Sequence, residues 1–190
     1  MLIYLLGPRQ LLTQFDRLAY SVSGDALRRT VDYYLARTAH GSTLSRVVHA
    51  SVLARLDPGR AWDLFRDALA ADLDDTQGGT TAEGVHLGAM AGTIDIVTRA
   101  FAGLTFADDA LVFHPQLPAG LRHVAFNVHH RGQVVYVSLD HSRIRLTAAE
   151  EATATDIQVR MGDQHLLLRG GGALEVPTVK GGRDPSGSQS

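Results

Sequence analysis

The 190-residue chain has no cysteine, which excludes disulfides and thiolate metal sites. A cysteine-free composition suits the cytosol, and a cytoplasmic location is expected. No charge of one sign dominates: 18 Lys and Arg against 20 Asp and Glu leave a formal net charge of −2. Nucleic acid and anionic membrane surfaces are therefore not expected partners. The opening run Met1-Leu2-Ile3-Tyr4-Leu5-Leu6 falls well short of the roughly 20 residues of a membrane-spanning helix. It also lacks the basic region and small-residue cleavage site of a signal peptide. It reads as a core segment, and its abrupt, uncapped start reads as truncated. With 45% apolar and 20% charged residues the composition is that of a soluble globular protein. The length allows one ordinary domain or two small ones. No internal repeat is visible beyond paired helices.

What is present divides at about Phe106. Before it, apolar residues recur at helical spacing. Leu11, Phe15 and Leu18 form one stripe, and Leu27, Val31, Tyr34 and Leu35 a second. Leu44, Val47, Val48, Val52 and Leu56 form a third, capped by Ser42 or Thr43. Asp57-Pro58-Gly59 ends it, and Pro58 suits the first position of a fourth helix carrying Trp62, Phe65, Leu69 and Leu73. A fifth helix is predicted from about Thr81, with Val85, Ala89, Met90, Ile94, Ile96, Val97 and Ala100. It is apolar on more than one side and so is expected to be deeply buried. Gly84, Gly88 and Gly92 weaken it as an isolated helix and suit a close backbone or ligand.

After Phe106 the period changes to two. Leu111-Val112-Phe113 and short alternating runs follow, around Val124, Val135, Ile144, Ile157, Leu166 and Leu174. Turn signals such as Arg131-Gly132 and Gly170-Gly171-Gly172 separate them. This predicts a small antiparallel β-sheet domain of six or seven strands. Residues 178–190, rich in Gly and Ser, are predicted to be a disordered tail.

Two segments carry chemistry. Gln77-Gly78-Gly79-Thr80-Thr81 precedes Glu83 and His86, which are predicted to lie on the first turns of the fifth helix. His40-Gly41-Ser42-Thr43-Leu44-Ser45 opens the third in the same way. Free backbone N–H groups, hydroxyls and an imidazole at a helix start suit an oxyanion, and the two starts could share one. Blander readings stand beside this. Ser42, Thr43, Thr80 and Thr81 could be plain N-caps, and Thr80 with Glu83 a capping box. His86 could be a hydrogen-bonded core histidine. His40 and His49 lack a third ligand of fitting spacing, and His129 and His130 point to opposite strand faces, so no metal site is expected. Trp62 beside Phe65 reads as core, and Arg28 and Arg29 as solvated.

Asp32-Tyr33-Tyr34, the His40–Ser45 segment, the run from Gln77 to Met90 and Pro115-Gln116-Leu117-Pro118 occur in the order found in glycoside hydrolase family 65, which this chain resembles over residues 1–177. That family contains maltose, trehalose and kojibiose phosphorylases and some hydrolases. The resemblance implies an α+β chain: residues 1–107 as the last helices of an (α/α)6 barrel, and 108–177 as a C-terminal, sandwich-like β-sheet domain. It implies inversion at the anomeric carbon, with phosphate in the place of a base-activated water. It carries phosphate binding onto Gly41, Ser42, Thr43, Gly79, Thr80, Thr81 and His86. No cofactor is implied; inorganic phosphate is a co-substrate and a disaccharide the substrate.

The family's general acid, and a basic residue that reaches the phosphate, belong to segments upstream of Met1. The resemblance therefore implies a C-terminal piece holding a phosphate half-site, inactive by itself. A companion chain supplying the rest of the barrel, or self-association through exposed apolar faces, would follow. So would a start codon upstream of Met1. The competing reading is a non-catalytic relic or interaction module.

Overall fold

The computed structural model describes residues 2–107, 109–150 and 155–178. The chain divides into two compact units, the second beginning at Phe101.

The first unit is helical. α1 (Leu2–Arg17) consists of two helical pieces joined at Gly7, whose φ of 72° interrupts the helix just before Pro8. It packs on α3 (Thr43–Leu53) and buries Leu11. Leu2 and Leu5 are 57% and 63% exposed, so the opening apolar run is not the core segment that its composition suggested. α2 (Gly24–Leu35) starts at Ser23, whose hydroxyl accepts the Ala26 N–H at 3.2 Å, and it buries Leu27 and Val31. α3 starts at Ser42, whose Oγ accepts from the Leu44 N–H at 3.3 Å. α4 (Pro58–Ala70) has Asp57 as N-cap, accepting from the Arg60 N–H at 3.0 Å, with Pro58 in the first turn. α4 lies along α3 and buries Ala61, Phe65 and Ala68. Trp62 stacks on Phe65 with ring centroids 5.4 Å apart, a packing role as its spacing suggested.

The fifth helix differs from expectation. A single 3-10 turn spans Thr80–Glu83, and α5 (Leu87–Asp95) begins six residues beyond the predicted start. Gly84, at φ 137° and ψ 156°, stops the short turn in a conformation that a side chain would strain. In a continuous helix the His86 N–H would bond the carbonyl of residue 82; here it is drawn to the Asp72 carboxylate instead. His86 therefore sits at the N-cap position of α5 rather than on an inner turn. α5 is also not deeply buried. Its Ala89 and Thr93 face is covered, while Leu87 and Ile94 are 73% and 67% exposed. After α5 the helix widens into π-type turns over Ile96–Phe101.

The second unit is β. The described strands are β1 (Leu104–Ala107), β2 (Ala110–Phe113), β3 (His123–His130), β4 (Gln133–Asp140), β5 (Arg143–Ala148), β6 (Ile157–Met161), β7 (Gln164–Leu168) and β8 (Ala173–Pro177). They form two four-stranded sheets, ordered β1-β2-β6-β7 and β3-β4-β5-β8. β7 lies against β5 and β8 of the other sheet, and Leu111, Phe113, Val135, Leu146, Ile157 and Leu168 are fully buried. β1 was placed with the helices by its sequence; it pairs with β2. One pair departs from the expected antiparallel sheet: β2 and β6 run parallel, Ala110 opposite Gln158 and Phe113 opposite Met161. Arg131 and Gly132, at φ 52° and 80°, make the tight turn of the β3–β4 hairpin. His129 is exposed and His130 buried, on opposite faces as predicted. The Thr178 N–H donates to the Ser142 carbonyl at 2.9 Å, so this residue is held at the sheet; the remainder of the tail, 179–190, lies outside the described residues. Among the described residues no helix is long and apolar enough to cross a membrane.

Candidate functional site

The site forms where α4 ends and α5 begins. Beyond α4, Asp72 turns back toward the Gly-Gly-Thr-Thr segment, and its side chain is only 9% exposed. Its Oδ2 accepts the His86 backbone N–H at 2.9 Å. Its Oδ1 accepts the His86 ring Nδ1–H at 2.5 Å and the Thr81 hydroxyl at 3.4 Å. These donors hold the Asp72 carboxyl below its ordinary pKa, the His86 ring contributing most, so it stays ionised and can only accept. The proton of a neutral His86 ring is therefore on Nδ1. Nε2 points the other way, 3.3 Å from the Thr80 hydroxyl. The Thr81 N–H donates to Asp75 at 3.3 Å. Gly78 and Gly79, at φ 71° and 94°, allow the backbone to turn tightly in front of the threonines.

The second segment lies alongside. Leu44 is the second residue of α3 and Gly88 the second of α5. A Cβ on Gly88 would lie 3.4 Å from the Leu44 side chain. Further along, a Cβ on Gly92 would lie 2.5 Å from Val47 Cγ1, closer than any real contact. α3 and α5 thus run side by side in the same direction, with their N-termini together. Of the three glycines flagged by sequence, Gly88 and Gly92 admit a neighbour, α3, whereas a Cβ on Gly84 would meet nothing within 4 Å. Adjacent helix N-termini sum their positive ends; the Leu44, Ser45, His86, Leu87 and Ala89 N–H groups at these starts are bonded to nearby oxygens.

Gln77 ties the two segments together. Its neighbours assign the amide orientation: the nitrogen donates to the Gly41 carbonyl at 3.1 Å, and the oxygen accepts from Arg46 Nη1 at 2.9 Å. Behind this, His40 Nδ1 bonds Ser45 Oγ at 3.0 Å, and Ser45 donates to the Ser42 carbonyl at 2.8 Å. Burial, then the neighbouring His49 and Arg46, push the His40 pKa down, so it serves as a neutral polar brace. His40 and His49 meet edge to face at 5.1 Å.

The seven residues named by sequence are not equally accessible. Gly41, Ser42 and Gly79 are exposed, Thr80, Thr81 and His86 are half-buried, and Thr43 is buried. Ser42 is the N-cap of α3, so its blander role is real. The capping box does not form: no side chain caps the 3-10 turn, and the Thr80 hydroxyl lies near the Gln77 carbonyl and His86. Sequence reasoning missed Asp72 and Arg46 and gave Gln77 no role. Asp72 opens the run Asp72-Leu73-Asp74-Asp75, which reads as a solvated helix end. Only the intervening acidic run before paired glycines hinted at it.

The groups that could turn to a small oxyanion here are the Thr80 hydroxyl and, when its Nε2 carries a proton, the His86 ring. The ionised Asp72 carboxylate is already met by donors of its own.

Residues 1–95 match the glycosyl hydrolase family 65 central catalytic domain, and residues 104–168 match the C-terminal domain of that family. An uncharacterized glycosyl hydrolase of Mycobacterium tuberculosis is 44% identical over 176 residues, covering 93% of this chain and 13% of the relative. Trehalose 6-phosphate phosphorylase of Lactococcus lactis is 37% identical over 172 residues, covering 90% of this chain and 22% of the relative. The chain thus spans less than a quarter of the length of these curated relatives. A solved chain described as a kojibiose phosphorylase from the human microbiome superposes with a TM-score of 0.70 at 22% identity, covering 88% of this chain and 23% of that one. That likeness gives the fold class: helices of an (α/α)6 barrel followed by a small, sandwich-like β-sheet domain.

Proposed function

The chain belongs to glycosyl hydrolase family 65, and from that premise we propose that it supplies the phosphate-holding part of an inverting disaccharide phosphorylase. The observation that carries the reading is the pairing of the α3 and α5 N-termini beside His86, with its ring anchored on Asp72. Phosphate held there by Gly41, Ser42, Gly79, Thr80, Thr81 and His86 brings its own nucleophilic oxygen. A bond forms from that oxygen to the anomeric carbon as the glycosidic C–O bond breaks on the opposite face. The leaving oxygen takes a proton from a carboxylic acid outside these 190 residues. The products are a sugar 1-phosphate of inverted configuration and the released sugar. No second carboxylate is needed, because phosphate replaces the water that an inverting hydrolase must activate.

The substrate class is an α-linked glucose disaccharide such as trehalose, maltose or kojibiose. The names of the lactococcal relative and of a Bacillus subtilis maltose phosphorylase, 33% identical over 118 residues, support phosphorolysis. Losing general-acid assistance alone costs ~10²–10⁴ in rate, so the 190-residue chain is expected to give no measurable turnover by itself. The apolar side chains left open on the helical unit suit contact with the remainder of a barrel.

The test is phosphate dependence in an assembled enzyme that contains these residues. His86→Ala is expected to raise the KM for phosphate about tenfold to a hundredfold, the range of one charge-assisted hydrogen bond. Unchanged phosphate dependence would remove His86 from the site. The mycobacterial relative is named a hydrolase, which favours water as a second acceptor. Release of free glucose without phosphate would support that reading over phosphorolysis.

A further inference from the structure

We propose that Asp72 is the positioning residue of this site: it selects the tautomer of His86 and aims Nε2 at the bound anion. The inference rests on the phosphate reading above and goes beyond it, because nothing in the motif pointed to residue 72.

Three observations carry it. First, Asp72 is almost fully covered and bonds three separate atoms of the 81–86 segment, two of them on His86. A carboxylate that gripped the loop for stability alone would need only the backbone N–H. Second, the ring bond uses Nδ1, the nitrogen turned away from Thr80, and leaves Nε2 on the Thr80 side. An imidazole with no partner on Nδ1 would distribute its proton between both nitrogens and rotate about χ2. Third, Asp72 does not belong to the loop it organises. It extends from the end of α4, whose Phe65 and Ala68 are buried, so a packed helix sets the position of the ring. The histidine is thereby held before any ligand arrives, which lowers the ordering cost of binding.

With Nδ1 fixed as a donor to the carboxylate, Nε2 is free to face the anion. When Nε2 also carries a proton it can donate to a phosphate oxygen while the Nδ1–H stays on the Asp72 carboxylate. Thr80, whose hydroxyl lies 3.3 Å from Nε2, can turn that hydroxyl to the same anion. An outer carboxylate orienting a histidine that does the contacting follows the same physics as carboxylate–histidine pairs around metal ions.

The test uses the intact 190-residue chain with the substitutions Asp72→Asn, His86→Ala and both together. Nitrogen-15 spectra of the imidazoles report the tautomer directly. In the unchanged protein His86 is expected to show the Nδ1–H form alone; in Asp72→Asn the two tautomers are expected to mix. Titration with inorganic phosphate is expected to weaken about tenfold to a hundredfold in Asp72→Asn. Adding Asp72→Asn to His86→Ala is expected to weaken it no further, since the carboxylate acts through the ring. A merely structural Asp72 would leave the tautomer unchanged, or would add its own loss in the double variant; either result overturns the proposal. If His86→Ala leaves phosphate affinity intact, the phosphate reading fails, and with it the anion that Asp72 is said to serve. If His86→Ala weakens binding while Asp72→Asn changes neither tautomer nor affinity, the phosphate reading stands and the positioning role is wrong.

Discussion

The helical unit and the sheet unit treat their apolar side chains differently. In the β unit, inward positions of both sheets are fully covered, and only Phe106, Tyr136 and Leu167 are exposed among the large apolar residues described. In the helical unit twelve such residues are exposed, from Leu2 to Ile94, and Leu73 is 86% open. The β unit closes its core within itself. The helical unit gathers its polar chemistry at one place, where helix starts meet, and leaves apolar faces without a described neighbour. The helical unit keeps hydroxyls and glycines where those starts meet, whereas the β unit keeps Val, Leu and Phe at its inward positions.

The strongest way to sharpen that contrast is a core deletion in the closed unit. Phe113 is fully buried in β2, and Phe113→Ala is expected to lower stability by about 3–5 kcal/mol. Leu73→Ala, at an open position of the helical unit, is expected to stay within about 0.5 kcal/mol. Denaturant unfolding of the two variants checks both. Equal losses would mean that Leu73 is covered in solution and that the comparison is mistaken.

A medium effect is expected at the helix contact that brings the two N-termini together. Gly92→Ala drives a methyl into Val47. Overpacking costs about 1–3 kcal/mol, partly offset by roughly 1 kcal/mol of helix propensity. The measurement is thermal unfolding, repeated in a Val47→Ala background. Relief by the second change confirms the contact, whereas an unchanged loss places the strain elsewhere.

The smallest effect should come from the surface of the β unit. Asp140 Oδ1 accepts from the Ser142 hydroxyl at 2.6 Å, the Ser142 N–H at 2.7 Å and the Arg143 N–H at 3.0 Å. These bonds lower its pKa from 3.8 to about 2. A carboxyl whose folded pKa is depressed stabilises the fold above its unfolded pKa and loses that contribution as pH falls through the folded one. Acid titration between pH 4 and 2 should therefore show a step in stability that Asp140→Asn lacks. Identical acid profiles would remove Asp140 from the account.

The same contrast governs what could be read beforehand. The stripes through Val31, Val47 and Phe65 announced α2, α3 and α4, because one buried face per helix leaves a 3.6-residue imprint. Alternation announced β3 to β8 for the equivalent reason at period two. Gly88 and Gly92 were legible as contact points, though not their partner. The delayed start of α5 was hidden, because it depends on Asp72 capturing the His86 N–H across 14 residues. Gln77 and Arg46 were hidden likewise: a bridge between two loops leaves no period. β1, four residues with a single buried side chain, was too short to declare itself.

The parallel pairing of β2 with β6 imposes a timetable on the chain as it is made. Residues 110–113 take residues 158–161 as neighbours, so β3, β4 and β5 have all been synthesised before β2 acquires its second partner. The β3–β4 hairpin, by contrast, closes over a two-residue turn and has its partner at once. Closure entropy grows only logarithmically with the span, so the long crossover weighs little on the finished fold. Its cost is in time: Leu111 and Phe113 must wait, apolar and half-paired, for the strand that covers them.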